Sequence, residues 1–285
     1  MKPPPFGYSR PESVAEAVAA LGSVAPDGKV LAGGQSLLPL LNMRLATPGH
    51  LVDINRLAEL SFVRVDDGEV VIGALARHAQ VLADPAASRA QPLIGRALAL
   101  VAHPVIRNRG TTVGSIVHAD PAGEMTAVLA LLGGSVLLDG GSGERLVSAE
   151  DFFLGPLESD VRPDELATQV RLPVLRPRAG CAFAEVSRRR GDYAVCGVAA
   201  LAELDETGGV SLARAAYLSV AGTPLVLDLT DAGGDPAWAG RLAKSRVAPA
   251  ADIHATAAYR RHLAGVLTER ALAAAIAHAR ERARG

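Results

Sequence analysis

The stretch Leu31-Ala32-Gly33-Gly34-Gln35-Ser36-Leu37-Leu38 carries a short extended run into paired glycines and out into an apolar, helix-compatible segment. A second stretch repeats the idea: Arg107-Asn108-Arg109-Gly110-Thr111-Thr112-Val113-Gly114-Ser115, followed by Ile116-Val117-His118-Ala119-Asp120-Pro121. Glycine admits positive φ and has no Cβ to hold a ligand away from the backbone. Successive exposed amides in such turns make concave anion sites. Two of them, flanked by Ser and Thr hydroxyls, suit a ligand with two linked phosphates, and a dinucleotide cofactor is the natural candidate.

The rest of the chain bounds the alternatives. At 285 residues it is long enough for two or three compact units. An apolar fraction of 49% against 21% charged supplies a core and argues against disorder. Aromatics are only 4%, so a base-stacking surface for single-stranded nucleic acid is not encoded. A formal charge of −1 without a basic block disfavours a polyanion partner. Met1 to Phe6 lacks the apolar region of a signal peptide, and no window has the length of a membrane span. The two cysteines, Cys181 and Cys196, have neither zinc-site nor iron–sulfur spacing. A cytoplasmic protein with reduced thiols is expected.

Ser9-Arg10-Pro11-Glu12 reads as a capping box, with a helix through Val14, Val18 and Leu21 that Gly22 ends. Strands are expected over 29–32 and 50–54, with a helix over 37–44 between them. Strands are also expected over 69–75, 135–139, 144–147 and 166–172, and a helix over 93–102. The proline-rich run 173–178 reads as a linker. Beyond it, runs at 181–188, 196–203 and 210–220 read as a small antiparallel sheet, followed by a helix over 257–280. The Gly-Gly pairs at 133, 140, 208 and 233 read as ordinary turns. His118 and Asp120 make a poor metal site without a third ligand; Asp120 is expected to cap a helix starting at Pro121, and His103-Pro104 to end one. Arg188-Arg189-Arg190 reads as a solvated face. Tyr193 reads either as a packing tyrosine or as an aromatic beside a cofactor ring. No G-x-G-x-x-G, P-loop or G-x-S-x-G is present.

Ala32-Gly33-Gly34-Gln35-Ser36-Leu37-Leu38-Pro39 with Asp53-Ile54-Asn55, the 107–121 segment, and Gly191-Asp192-Tyr193-Ala194 together resemble the FAD-binding medium subunits of molybdenum hydroxylases, the xanthine dehydrogenase and aerobic carbon monoxide dehydrogenase family. The resemblance runs over essentially the whole chain. It implies an α+β fold: a PCMH-type FAD-binding domain at 1–177, in two α/β subdomains (1–55 and 56–177), then a small α+β C-terminal domain at 178–285.

It further implies that amides of Gly33, Gly34 and Gln35 with the Ser36 hydroxyl hold the pyrophosphate, and that Leu31, Ala32 and Leu37 flank it. Thr111, Gly114 and Ser115 would form the second wall, with Ala102, Ile106, His118 and Asp120 nearby. Glu124 would contact the ribityl–ribose part, Leu166 would pack near adenine, and Tyr193 would lie beside the isoalloxazine. Val113 stands where the family has a second glycine, and its branched side chain disfavours it as a close-approach position. The implied function is electron transfer by dissociable FAD. Electrons would come from two [2Fe–2S] clusters on a small partner, and the molybdenum–molybdopterin cofactor would sit on a large partner, in a dimer of heterotrimers. No catalytic base and no metal ligand are expected on this chain. The alternatives are a free-standing PCMH-type flavin oxidase or dehydrogenase, and a scaffold that kept the fold without the flavin.

Overall fold

The computed structural model describes residues 2–284. The first layer runs β1 (Gly7–Ser9), α1 (Val14–Val24), β2 (Gly28–Leu31), α2 (Leu37–Met43) and β3 (His50–Asp53). Its strands form an all-parallel sheet in the order β1-β3-β2, the helices serving as crossovers. The helix start differs from the expected one. Ser9 is engaged in β1 opposite Val52, and the cap is Ser13, whose Oγ accepts from Glu16 N at 3.2 Å. Glu16 Oε2 accepts from Glu12 N at 2.8 Å, closing a capping pair one turn later than the sequence reading had it. Gly22 stays inside α1, and the chain leaves the helix at Ala25, the residue that Pro26 forces into an extended conformation.

Next come β4 (Val63–Asp66), β5 (Glu69–Gly73), α3 (His78–Ala83), α4 (Pro85–Ala90), α5 (Pro92–Leu98), α6 (Pro104–Arg107), α7 (Thr112–His118) and α8 (Glu124–Leu132). They are followed by β6 (Ser135–Gly140), β7 (Gly143–Ser148), α9 (Ala149–Phe152), β8 (Phe153–Gly155), β9 (Glu158–Ser159) and β10 (Leu166–Pro173). An antiparallel sheet β4-β5-β10-β6-β7 places β10 at its centre, where it is almost wholly buried.

Two local expectations are corrected in this layer. His103-Pro104 opens α6 rather than ending a helix, because proline's preset φ and missing N–H suit a first helical turn. Asp120 caps a turn and not a helix. Its Oδ1 accepts from Ala122 N, the Gly123 N–H closes back on Asp120 O, and α8 begins only at Glu124.

The last layer is an antiparallel sheet β11 (Ala179–Ser187), β12 (Ala194–Leu204), β13 (Val210–Leu218) and β14 (Leu225–Asp228), with α10 (Pro236–Arg246) and α11 (Ala257–Arg282) after it. Alternation along β12 gives this sheet two apolar faces. Cys196, Val198, Ala200 and Ala202 meet Ala243, Leu267 and Leu272 of α10 and α11. Ala199 and Leu201, with Ala216 and Leu218 of β13, join the main core formed by the first two sheets and their helices. The fold class is thus the expected α+β arrangement.

Candidate cofactor-binding cleft

The first glycine loop leaves β2 at Leu31, turns through Gly34 at φ +71°, and enters α2. Among the described residues, the N–H groups of Gly33, Gly34, Gln35 and Ser36 donate to no acceptor in the chain. Ser36 sits at the N-cap of α2 without a side-chain cap bond, so its hydroxyl is uncommitted. The carbonyl side of the loop is occupied instead. Asn55 Nδ2 donates to Ala32 O at 2.9 Å, and Gln35 Nε2 to Gly33 O at 3.2 Å. Four free donors beside an uncommitted hydroxyl match what a pyrophosphate accepts from.

The second loop touches the first. A Cβ on Gly33 would lie 2.5 Å from Arg109 O and 2.8 Å from Gly110 Cα, so only glycine permits this approach. Arg77 braces the contact from the side. Its Nη2 donates to Asn55 Oδ1 at 2.7 Å and its Nη1 to Arg109 O, tying both loops to one guanidinium. Asn55 is in turn oriented by Asp53, which accepts from Asn55 N at 2.9 Å and from Tyr8 Oη at 2.6 Å. Burial opposes ionisation of Asp53, but these hydrogen bonds win and its carboxyl is held below the usual range.

Within the second loop, Thr111 caps α7, its Oγ1 accepting from Gly114 N at 3.2 Å. The Gly114 amide is therefore already engaged, and glycine at this position makes room for the cap. Below it, His78 Nδ1 meets Thr112 Oγ1 at 3.1 Å. Burial first, then the Arg107 charge, pushes His78 down to about 4, so it is a neutral structural imidazole at physiological pH.

Between these loops lies a cleft of about 630 Å³. Ala32, Gly33, Gly34, Gln35, Ser36 and Leu37 line it from the first loop, and Thr111, Gly114, Ser115, His118 and Asp120 from the second. Ala102, Ile106, Glu124, Leu166 and Tyr193 complete the set expected from sequence. Leu31 does not line it; its side chain lies beneath Gly34, where it supports the turn. Val113 reaches the cleft but is 98% buried in the core, so it contributes packing.

Ala102 adopts φ +45°, and Arg107 Nη1 holds its carbonyl at 3.0 Å. Tyr193 is 64% exposed on the β11–β12 loop, which rules out the packing reading. That loop rests on His103: Gly191, at φ +86°, would bring a Cβ within 2.6 Å of His103 Cε1. Arg188, Arg189 and Arg190 are exposed, as a solvated run should be.

Several lining residues carry no local signal. Lys29, on β2, gives the cleft a cation, and Glu165 gives it an anion already bonded through both oxygens to Arg145. Arg77 and His78 sit in an unremarkable Leu-Ala-Arg-His run, and only the fold carries them to the loops.

A family model described as the FAD binding domain in molybdopterin dehydrogenase matches residues 4–175. The chain belongs to this family. This molybdopterin dehydrogenase flavin-domain protein is 40% identical to the 6-hydroxypseudooxynicotine dehydrogenase complex subunit alpha of Paenarthrobacter nicotinovorans, over 98% of the chain and 97% of the relative. It is 38% identical to the caffeine dehydrogenase subunit beta of Pseudomonas sp. strain CBB1, over 96% of each. Its fold matches that of a carbon monoxide dehydrogenase from Hydrogenophaga pseudoflava lacking the Mo-pyranopterin moiety, with a TM-score of 0.92 at 37% identity, covering 98% of this chain and 99% of that one. Among the described residues no group of three or more His, Cys, Asp or Glu side chains is placed to hold a metal ion, and no helix is long and apolar enough to cross a membrane.

Proposed function

We propose that this chain holds one dissociable FAD in the cleft. It would act as the flavin subunit of a molybdenum hydroxylase complex, taking electrons from a [2Fe–2S] partner and passing them to an external acceptor. The observation that carries the reading is the pair of glycine loops in contact across one cleft, the first with four uncommitted amides. The bound flavin supplies exchange between one-electron and two-electron carriers. This chain's residues do the holding. Amides 33–36 and the Ser36 hydroxyl receive the pyrophosphate, Lys29 adds a positive charge, and Thr111 and Ser115 close the second side. Glu124 faces the ribityl–ribose region, Leu166 the adenine end, and Tyr193 the ring system.

In this reading 1–177 is the FAD domain, divided near residue 55, and 178–285 is the C-terminal domain. The chain works in the cytoplasm within a dimer of heterotrimers whose large subunit carries the molybdenum cofactor. Relatives named for a nicotine derivative, for caffeine and for carbon monoxide are similarly close to this chain, which supports a substrate pocket on another subunit. The test is the visible spectrum of the purified chain before and after FAD addition and removal of excess. A retained flavin spectrum, with FAD released by acid, is expected. A chain that stays colourless both alone and with its partner subunits overturns the reading.

A further inference from the structure

The segment that joins β9 to β10 forms part of the cleft wall. Val161, Glu165 and Leu166 line the cleft from it, as does Leu157 from the β8–β9 turn. Glu165 is only 6% exposed there. A buried carboxylate in a cleft that receives an anion is repulsive unless its charge is cancelled. The cancelling group comes from β7. Arg145 stands in register with Leu138 of β6, and Leu138 with Ala167 of β10, so the three share one face of the sheet. Arg145 Nε donates to Glu165 Oε1 at 2.7 Å and Nη2 to Glu165 Oε2 at 2.7 Å, a two-pronged pairing. The same guanidinium donates through Nη1 to Asp160 Oδ2 and through Nη2 to Asp160 O. Both ends of the 160–165 segment thus hang on one side chain.

The surroundings are matched to this pairing. Gly140 makes room for it, since a Cβ there would lie 2.9 Å from Glu165 Cγ. Arg162 N donates to Glu165 Oε2 at 2.9 Å, and Arg162 Nη1 stands 3.8 Å from Oε1. Asp139, in register with Leu166, and Asp164, next in the chain, are the other acids beside Glu165. Lys29, His118, Asp120 and Glu124 line the same cleft. Burial works against ionisation of Glu165, but the bonds from Arg145 and Arg162 win and hold its carboxyl below the usual range.

We propose that Arg145 is a positioning residue for cofactor retention: it fixes the 160–165 wall and cancels the Glu165 charge that would otherwise face the anionic ligand. The proposal rests on the reading of the cleft as the FAD site. A purely structural clamp, once removed, weakens binding equally at every pH. Charge cancellation leaves a different mark. Without Arg145 the buried Glu165 carboxyl keeps only Arg162 as a cationic neighbour, and its midpoint rises. Above that midpoint the carboxylate repels the pyrophosphate; below it the neutral acid does not.

Fluorescence titration of FAD against the full chain at pH 6 and pH 8 reads the difference. Glu124, pushed up to about 8 by burial, and His118 belong to every variant, so affinities are taken relative to wild type at each pH. Arg145→Met should lose about tenfold in affinity at pH 8 and recover most of it at pH 6. Arg145→Met/Glu165→Gln should show one relative affinity at both pH values, above that of Arg145→Met at pH 8. Arg145→Lys keeps the charge without the fork, and any loss it shows should be the same at both pH values. Thermal midpoints establish that each variant is folded. Glu165→Gln leaves Arg145 bonded to Asp160 and covers the case in which Arg145→Met does not fold; it should bind FAD at least as tightly as wild type at pH 8, and weaker binding overturns the proposal. An unchanged affinity in Arg145→Met, or a loss by the same factor at both pH values, also overturns it. A wild-type chain that binds no FAD, alone or with its partner subunits, overturns the cleft reading and the proposal with it.

Discussion

Gly33 is where a single hydrogen atom matters most. Its missing Cβ lets the Arg109 carbonyl and Gly110 Cα approach, and both are backbone groups that cannot swing aside. Gly33→Ala must therefore part the two loops. Overpacking of this kind costs about 1–3 kcal/mol, which, if it falls on the bound state, corresponds to a loss of about fivefold to a hundredfold in affinity for a ligand held by both loops. Fluorescence titration of FAD against the variant measures it, and an unchanged affinity would mean that the loops do not act together. Glycine-rich loops and their flanking hydroxyls were readable from the chain because these residue types constrain the backbone locally. Arg77 was not, since one arginine among many acquires its role only when two remote loops come to lie on either side of it.

At the scale of elements, the brace Asp53–Asn55–Arg77–Arg109 links β3, the start of α3 and the second loop. Burial and the Arg109 charge pull Arg77 down somewhat, against the support of Asp53. It still donates to two acceptors with its planar fork. Arg77→Ala should speed FAD release by about tenfold, in line with the 1.5–3 kcal/mol of charged hydrogen bonds. Arg77→Lys should recover only part, because a point charge cannot serve both acceptors. Stopped-flow release rates set beside thermal midpoints check this. A drop in the midpoint with an unaltered release rate would make Arg77 a purely structural group.

Strands β5, β6, β10, β11, β12 and β13 were legible from alternation or long apolar runs. The three-residue β1 and the six-residue helices α3 and α4 were not, being too short to display a period. The cap of α1 was misplaced because two Ser-x-x-Glu pairs, from Ser9 and from Ser13, follow one another directly in the chain. Only pairing of Ser9 into the parallel sheet selects the second.

Across the whole molecule, the third sheet is held between the main core and α11. Its best-defined polar tie is Tyr217 Oη to Thr268 Oγ1 at 2.7 Å, both side chains fully buried, with Thr268 Oγ1 also bonded to Ala264 O at 2.6 Å. Tyr217→Phe removes one bond and leaves Thr268 its carbonyl partner. The expected cost is about 1 kcal/mol, read as a shift in the urea midpoint with unchanged slope. Because this sheet also positions Tyr193, looser anchoring here would reach the cleft through the β11–β12 loop.

The sequence by itself determined the two glycine turns, the strand and helix types of the longer elements, and the kinship with flavin-domain chains. All three rest on local backbone preferences or on the order of motifs along the chain. Tertiary structure alone decided that the loops touch, that Arg77 and His78 stand behind them, and that Leu31 is a support and not a lining residue. Those facts join residues far apart in the chain, and their proximity depends on how three sheets pack around shared apolar faces. No local pattern records that.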